Sequence, residues 1–192
     1  MKNGTVSLKL LASEEFQSFF AEVSTIIIEK LIAEPHPGLV EKYREESALL
    51  LHELFTNAII HSASKQVEFT YGVEDDYLTI EMITEGKGFG IKPVNPDGSP
   101  GTTIFSPPYS GMAGQNFILH LDNDFEVLCK VENENELTLF RQWRENPSDG
   151  NTMPIPEHFG LFIITSLGFD VNYKKMPDGK NIFSIKRNLS SV

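Results

Sequence analysis

Residues 49–62 read LLLHELFTNAIIHS. The spacing predicts a helix on which Glu53, Asn57 and His61 recur at four-residue steps, and such residues lie one above the other on a helix face. Leu50, Leu51, Leu54, Phe55, Ala58 and Ile59 fill most of the remaining circumference, so the helix is expected to be buried on more than one side. A carboxylate and an amide in that setting need satisfying by a ligand, a metal ion or a water. This polar row is the leading functional candidate in the chain.

The totals bound what the row can belong to. With 192 residues, one domain with an elaboration is expected, large enough to bury a real core. The 40% hydrophobic and 22% charged composition is that of an ordinary soluble globular protein. A net charge of −11 argues against nucleic acid or an anionic membrane as the main partner. Cys129 is the only cysteine, so no intramolecular disulfide and no cysteine-based metal site is expected; a buried thiol is. The first residues, MKNGTVSLKL, lack a signal-peptide core, and no apolar run reaches membrane-spanning length, which makes the cytoplasm the expected compartment.

Working outward from the helix, residues 5–11 alternate Val6, Leu8 and Leu10 with polar neighbours, a half-buried strand pattern. Ser13 with Glu14 and Glu15 starts a helix that carries Phe16, Phe19, Phe20, Val23, Ile26, Ile27 and Leu31 to about Ala33, before Pro35, Pro37 and Gly38. The long helix follows, from about Val40 to His61. Residues 65–72 and 77–82 read as two strands around a turn at 73–76. Residues 83–90, ITEGKGFG, read as a strand entering a glycine-rich loop, and 91–109 as a long surface loop.

Two later segments look alike: each reads as a short helix, a strand, a turn and a strand. The first spans 111–143 and opens on GMAGQNFILHL; the second spans 157–187 and opens on the helix HFGLFIITSL. A polar, Pro-containing linker separates them. The likeness is either a weak duplication or two independent helix–hairpin units.

Glu53 and Asn57, followed after two strands by Gly86-x-Gly88, point to a phosphate-bearing ligand with a divalent cation. An amide oxygen is a hard neutral ligand suited to Mg²⁺. A carboxylate one turn away can orient or deprotonate a water or hydroxyl. Glycines let backbone N–H groups approach phosphates or a flat ring closely.

In order and spacing, E53-LFT-N57-AIIH61 resembles the N-box of the GHKL ATPase superfamily, and SALLLHELFTNAIIHS is most similar to the anti-sigma-factor serine/threonine kinase branch. The resemblance runs from about Thr5 to Arg187 and is strongest between Glu45 and Phe89. It implies an α+β fold, a two-layer α/β sandwich of the GHKL (Bergerat) type with a mixed sheet and helices on one face. It also implies ATP and Mg²⁺ as cofactors, Glu53 as catalytic base and Asn57 as the Mg²⁺ ligand.

Gly86, Gly88 and Phe89 match the loop that lies against adenine, and Gly160-Leu161 resembles the second glycine box, at a helix start. The family's adenine-reading acid falls at Thr84; Glu85 is adjacent, but strand alternation turns it to the opposite face. A hydroxyl accepts without charge assistance, so weaker adenine binding is expected. His61 sits where the branch often has a histidine. Gly111-Met112-Ala113-Gly114 is the alternative second box. With the C-terminal box, residues 91–153 become an enlarged lid; with the alternative, 154–187 become an added unit.

The branch implies protein partners, a sigma factor and a STAS-type antagonist phosphorylated on serine, in a partner-switching pathway. The alternative is a degenerate module of the same fold that binds partners with weak nucleotide binding or none. Members of the branch commonly dimerise. Leu8, Leu10 and the Phe16/Phe19/Phe20 helix offer apolar surface for that role or for the core.

Overall fold

The computed structural model describes residues 5–61, 65–95, 98–144 and 159–190. The polar linker at 145–158, His158 included, and the side chain of His61 lie outside the described residues. The fold is α+β, with eight strands, three α-helices and two short 3-10 helices among the described residues. The chain divides into two compact units, residues 1–86 with 182–192 and residues 87–181.

In the first unit, β1 (Val6–Leu11), β2 (Gln66–Glu74), β3 (Tyr77–Glu85) and β8 (Lys180–Asn188, in this unit from Ile182) lie side by side in that order. The β2–β3 hairpin closes on Asp75 and Asp76, both at positive φ (48° and 62°), which is the handedness a two-residue hairpin turn requires. Asp76 also ties down the end of the chain: its carbonyl accepts from the Leu189 amide (2.7 Å) and its carboxylate from the Ser190 hydroxyl (2.9 Å). Both strands alternate, so Val67, Phe69, Tyr71, Leu78, Ile80 and Met82 are buried on one face.

That face is covered by α1 (Gln17–Ala33) and α2 (Val40–His61). Phe20 of α1, Phe55 of α2 and Phe69 of β2 form the centre. Phe20 stacks on Phe55 with ring centroids 4.6 Å apart and meets Phe69 at 4.3 Å. The Ser24 and Tyr71 hydroxyls, 2.6 Å apart, satisfy each other beneath α1. Near the start of α2, the Arg187 guanidinium lies over the Tyr43 ring (4.9 Å) and pairs with Glu46, holding the last strand to the helix. Of the residues expected to offer apolar surface, Phe20 is core, while Phe19 is 52% exposed.

The second unit orders its strands β7 (Asp170–Lys175), β6 (Glu136–Trp143), β5 (Phe125–Asn133) and β4 (Asn116–Leu121), with α3 (Phe159–Ser166) packed on β5, β6 and β7. Residues 111–121 are not the expected helix. Gly111 (φ 77°) and Gly114 (φ 82°) make turns, and the chain then enters β4. A bulge between Ile118 and His120 buries Leu119, His120 and Leu121 in succession, so the segment lacks strand alternation in its sequence. The likeness between the two late segments therefore does not extend to their structure: the first is a three-stranded meander, whereas the second opens on α3.

The expected mixed sheet is antiparallel wherever strand register is described. Residues 91–109, expected as a surface loop, are partly core: Ile91 and Phe105 exchange backbone hydrogen bonds (2.7 and 2.9 Å), and Ile91 and Tyr109 are buried.

Because Phe20 joins both helices to β2, Phe20→Ala is expected to lower the unfolding free energy by about 3–5 kcal/mol. Urea denaturation followed by far-UV circular dichroism checks this; a loss under about 1 kcal/mol would deny the cluster its central place.

Candidate functional site

In α2, Leu50, Leu51, Leu54, Phe55 and Ala58 are all buried. At about 100° per residue they define one arc of the helix. Asn57 lies at one margin of that arc and Glu53 just beyond it. Past the other margin, His52 and Thr56 are held by Gln17 of α1, whose Nε2 donates to Thr56 Oγ1 (3.1 Å) and meets His52 Nδ1 (3.1 Å). The polar row therefore stands on the flank of α2 turned away from α1.

Glu53 and Asn57 are half-buried, and neither side chain has a hydrogen-bond or ion-pair partner among the described residues. This refines the expectation of a costly buried row. The two groups are sheltered yet still reachable by water or a ligand, so they carry no orphan penalty of the kind a sealed carboxylate would.

Thr84 is the last buried residue of β3, 8% exposed, on the face shared with Leu78, Ile80 and Met82 that the helices cover. Glu85 is exposed on the opposite alternation, as its position in the strand requires. Gly86 follows at φ 146°, which ends the strand with a backbone conformation that disfavours a side chain. Glu53, Asn57, Thr84 and Gly86 thus all belong to the first unit, on α2 and at the end of a strand that α2 packs against.

Gly88, Phe89, Gly160 and Leu161 belong to the second unit. Gly88 is at φ 97°, and a Cβ there would lie 2.5 Å from Pro107 Cγ and 2.6 Å from the Tyr173 hydroxyl. The Phe89 carbonyl accepts from the Tyr109 hydroxyl (2.6 Å), its backbone also hydrogen-bonds the Tyr173 hydroxyl, and its ring lies 5.8 Å from that of Tyr173. Tyr173 Oη in turn donates to Asn181 Oδ1 (2.9 Å). Burial raises the hydroxyl pKa of both tyrosines, so they stay neutral donors.

These tyrosines were not singled out from the sequence. Tyr109 closes the Pro-rich stretch and Tyr173 sits in an ordinary alternating strand, so nothing local marks either one.

Gly160 lies in the first turn of α3, and Leu161 is buried, so only its backbone is open to a ligand role. The alternative glycine pair, Gly111 and Gly114, does not stand at a helix start and offers no array of helix N–H groups.

His120 of β4 is 5% exposed, with its ring 4.8 Å from that of Phe162 on α3. Cys129 is fully buried and its thiol is pushed up to about 12, as expected of a packing residue. Among the described residues, no group of three or more His, Cys, Asp and Glu side chains is arranged to hold a metal ion, and no helix is long and apolar enough to cross a membrane.

Compared with known proteins, the chain matches no family model and no curated protein.

Desolvation lowers the His120 pKa below its ordinary value of 6.5, with the Asp122 charge opposing, and α3 has no titratable residue in 159–166. The folded state therefore favours neutral imidazole. That contribution is complete above about pH 6.5 and is lost as the pH falls from there through the folded-state pKa. Wild-type unfolding free energy is expected to drop between pH 7 and pH 5, and His120→Gln to remove that part of the dependence. Denaturation across this range checks it; equal slopes for the two proteins would be the contrary result.

Proposed function

We propose that this chain is a GHKL-type domain of the anti-sigma-factor serine/threonine kinase branch, binding Mg²⁺-ATP and regulating protein partners in a cytoplasmic partner-switching pathway. One observation carries the reading. Glu53 and Asn57 stand one turn apart on α2, half-buried, without protein partners among the described residues, on the flank away from α1. Helices over one face of an antiparallel sheet, with Thr84 and Gly86 ending β3, are compatible with the two-layer architecture of that family.

The donor set fits the cofactor. Asn57 offers a neutral hard oxygen, Glu53 a carboxylate one turn away, and both have water access for the rest of a Mg²⁺ shell. When bound, Mg²⁺-ATP supplies the phosphoryl group and the charge neutralisation that its transfer needs. Asn57 would present Oδ1 to the cation. Glu53 would take the proton from a partner's seryl hydroxyl as that oxygen becomes the nucleophile. The Thr84 hydroxyl, in the same unit, would read the adenine edge. The partners implied are a sigma factor and a STAS-type antagonist.

A second reading, a partner-binding module without phosphotransfer, draws on the same loop. Thr84 provides no charge where the family has an acid, and the open side of Gly88 is filled by protein. The two readings part on catalysis. On the kinase reading, calorimetry gives saturable, Mg²⁺-dependent ATP binding, which Asn57→Ala abolishes. Glu53→Ala would keep binding but cut phosphotransfer to a serine-bearing antagonist by about 10²–10⁴-fold. Absence of saturable binding at millimolar nucleotide would contradict the kinase reading, and partner binding without phosphotransfer by wild type would favour the module.

A further inference from the structure

Gly88 and Phe89 are already engaged by the chain itself. In a loop that lies against a ligand, a glycine is useful because its Cα side is open and its neighbouring peptide groups are available. Here the space a Cβ would take at Gly88 is filled by Pro107 and Tyr173. The Tyr109 hydroxyl donates to the Phe89 carbonyl, and the Tyr173 hydroxyl, which donates to Asn181, accepts from the Phe89 backbone.

Each holding residue is itself anchored within the second unit. The Tyr109 amide donates to the Glu134 carbonyl (2.8 Å) at the β5–β6 turn, and the Met112 amide returns to the Tyr109 carbonyl (3.1 Å). Tyr173 is fixed in β7 and bonded to Asn181. Ile91 and Phe105 then tie the chain just past the loop to the segment that carries Pro107. The Phe89 backbone and the open side of Gly88 are thereby taken up by protein groups.

We propose that Tyr109, Tyr173 and Pro107 form a built-in clamp that holds the glycine loop in a self-filled state, so that a ligand engages Gly88 and Phe89 only when the clamp releases. The ligand half of this proposal rests on the Mg²⁺-ATP reading; the clamp itself does not. Where the competent state is a minority, apparent affinity falls in proportion to its population. Tyr109→Phe removes one hydrogen bond and leaves the Phe89 carbonyl without that donor in the clamped state. Loss of a hydrogen bond of ordinary strength raises the released fraction about fivefold.

The test uses the full chain and two readouts, amide hydrogen exchange at 88–90 and calorimetric titration with Mg²⁺-ATP. Thr138→Val, which removes a hydrogen bond to Asn172 Oδ1 (3.1 Å) elsewhere in the second unit, is the control. Tyr109→Phe is expected to speed exchange at 88–90 about fivefold and tighten Mg²⁺-ATP binding by a similar factor, while Thr138→Val leaves both unchanged. Faster loop exchange with no nucleotide binding by either protein would keep the clamp and remove the Mg²⁺-ATP reading. Loop exchange equal in the two variants overturns the clamp, whatever the nucleotide does. Faster exchange with weaker binding overturns its ligand-excluding role, because the contact would then be a support. Should Tyr109→Phe fail to fold, Pro107→Ala, which empties the space beside Gly88, gives the same readouts.

Discussion

The contact among Phe20, Phe55 and Phe69 is what the arrangement of the first unit depends on. Three rings from α1, α2 and β2 meet within 4.3–6.3 Å of one another, and offset aromatic pairs of this kind add about 0.5–1.5 kcal/mol each beyond their buried area. Their more important effect is rotational. Once Phe55 is stacked on Phe20, which itself rests on Phe69, the azimuth of α2 is set, and Glu53 and Asn57 are placed on the flank opposite Gln17. A helix turned by one residue would carry the row into the core or toward α1. The functional candidate is therefore a consequence of core packing, and the hydrogen bonds from Gln17 to His52 and Thr56 hold the same setting from the other side.

The second unit contrasts with this. In the first, polar groups are left unengaged beside a packed core. In the second, the Phe89 backbone is held by tyrosine hydroxyls and the open side of Gly88 is filled by Pro107 and Tyr173. The two stretches that the sequence associates most strongly with a nucleotide thus differ in state: the Glu53/Asn57 row is available, and the Gly88-Phe89 turn is taken.

Much of this was legible in the residues. α1 and α2 were readable to within a few residues because their apolar periods run over several turns, and the β2–β3 hairpin because Asp75-Asp76 interrupt alternating runs. The i, i+4 spacing exposed the Glu53/Asn57 row directly, and strand alternation placed Thr84 inward and Glu85 outward. β4 carries no period-two signal, because its bulge buries Leu119, His120 and Leu121 consecutively and leaves an apolar cluster that reads as helical. The hold of Tyr109 and Tyr173 on Phe89 was invisible for a different reason: the contacts join residues far apart in the chain, and no local pattern encodes a tertiary hydrogen bond.

Whether Asn57 meets a Mg²⁺-nucleotide is reported directly by the side-chain amide of that residue. In two-dimensional ¹⁵N–¹H spectra of the full chain, assigned by loss of the signal in Asn57→Ala, titration with Mg²⁺ and a non-hydrolysable ATP analogue is expected to shift the Asn57 amide pair saturably, and to do so only when both components are present. An Asn57 signal that stays in place while the titration reaches millimolar nucleotide would contradict the assignment of this helix to a Mg²⁺-ATP site.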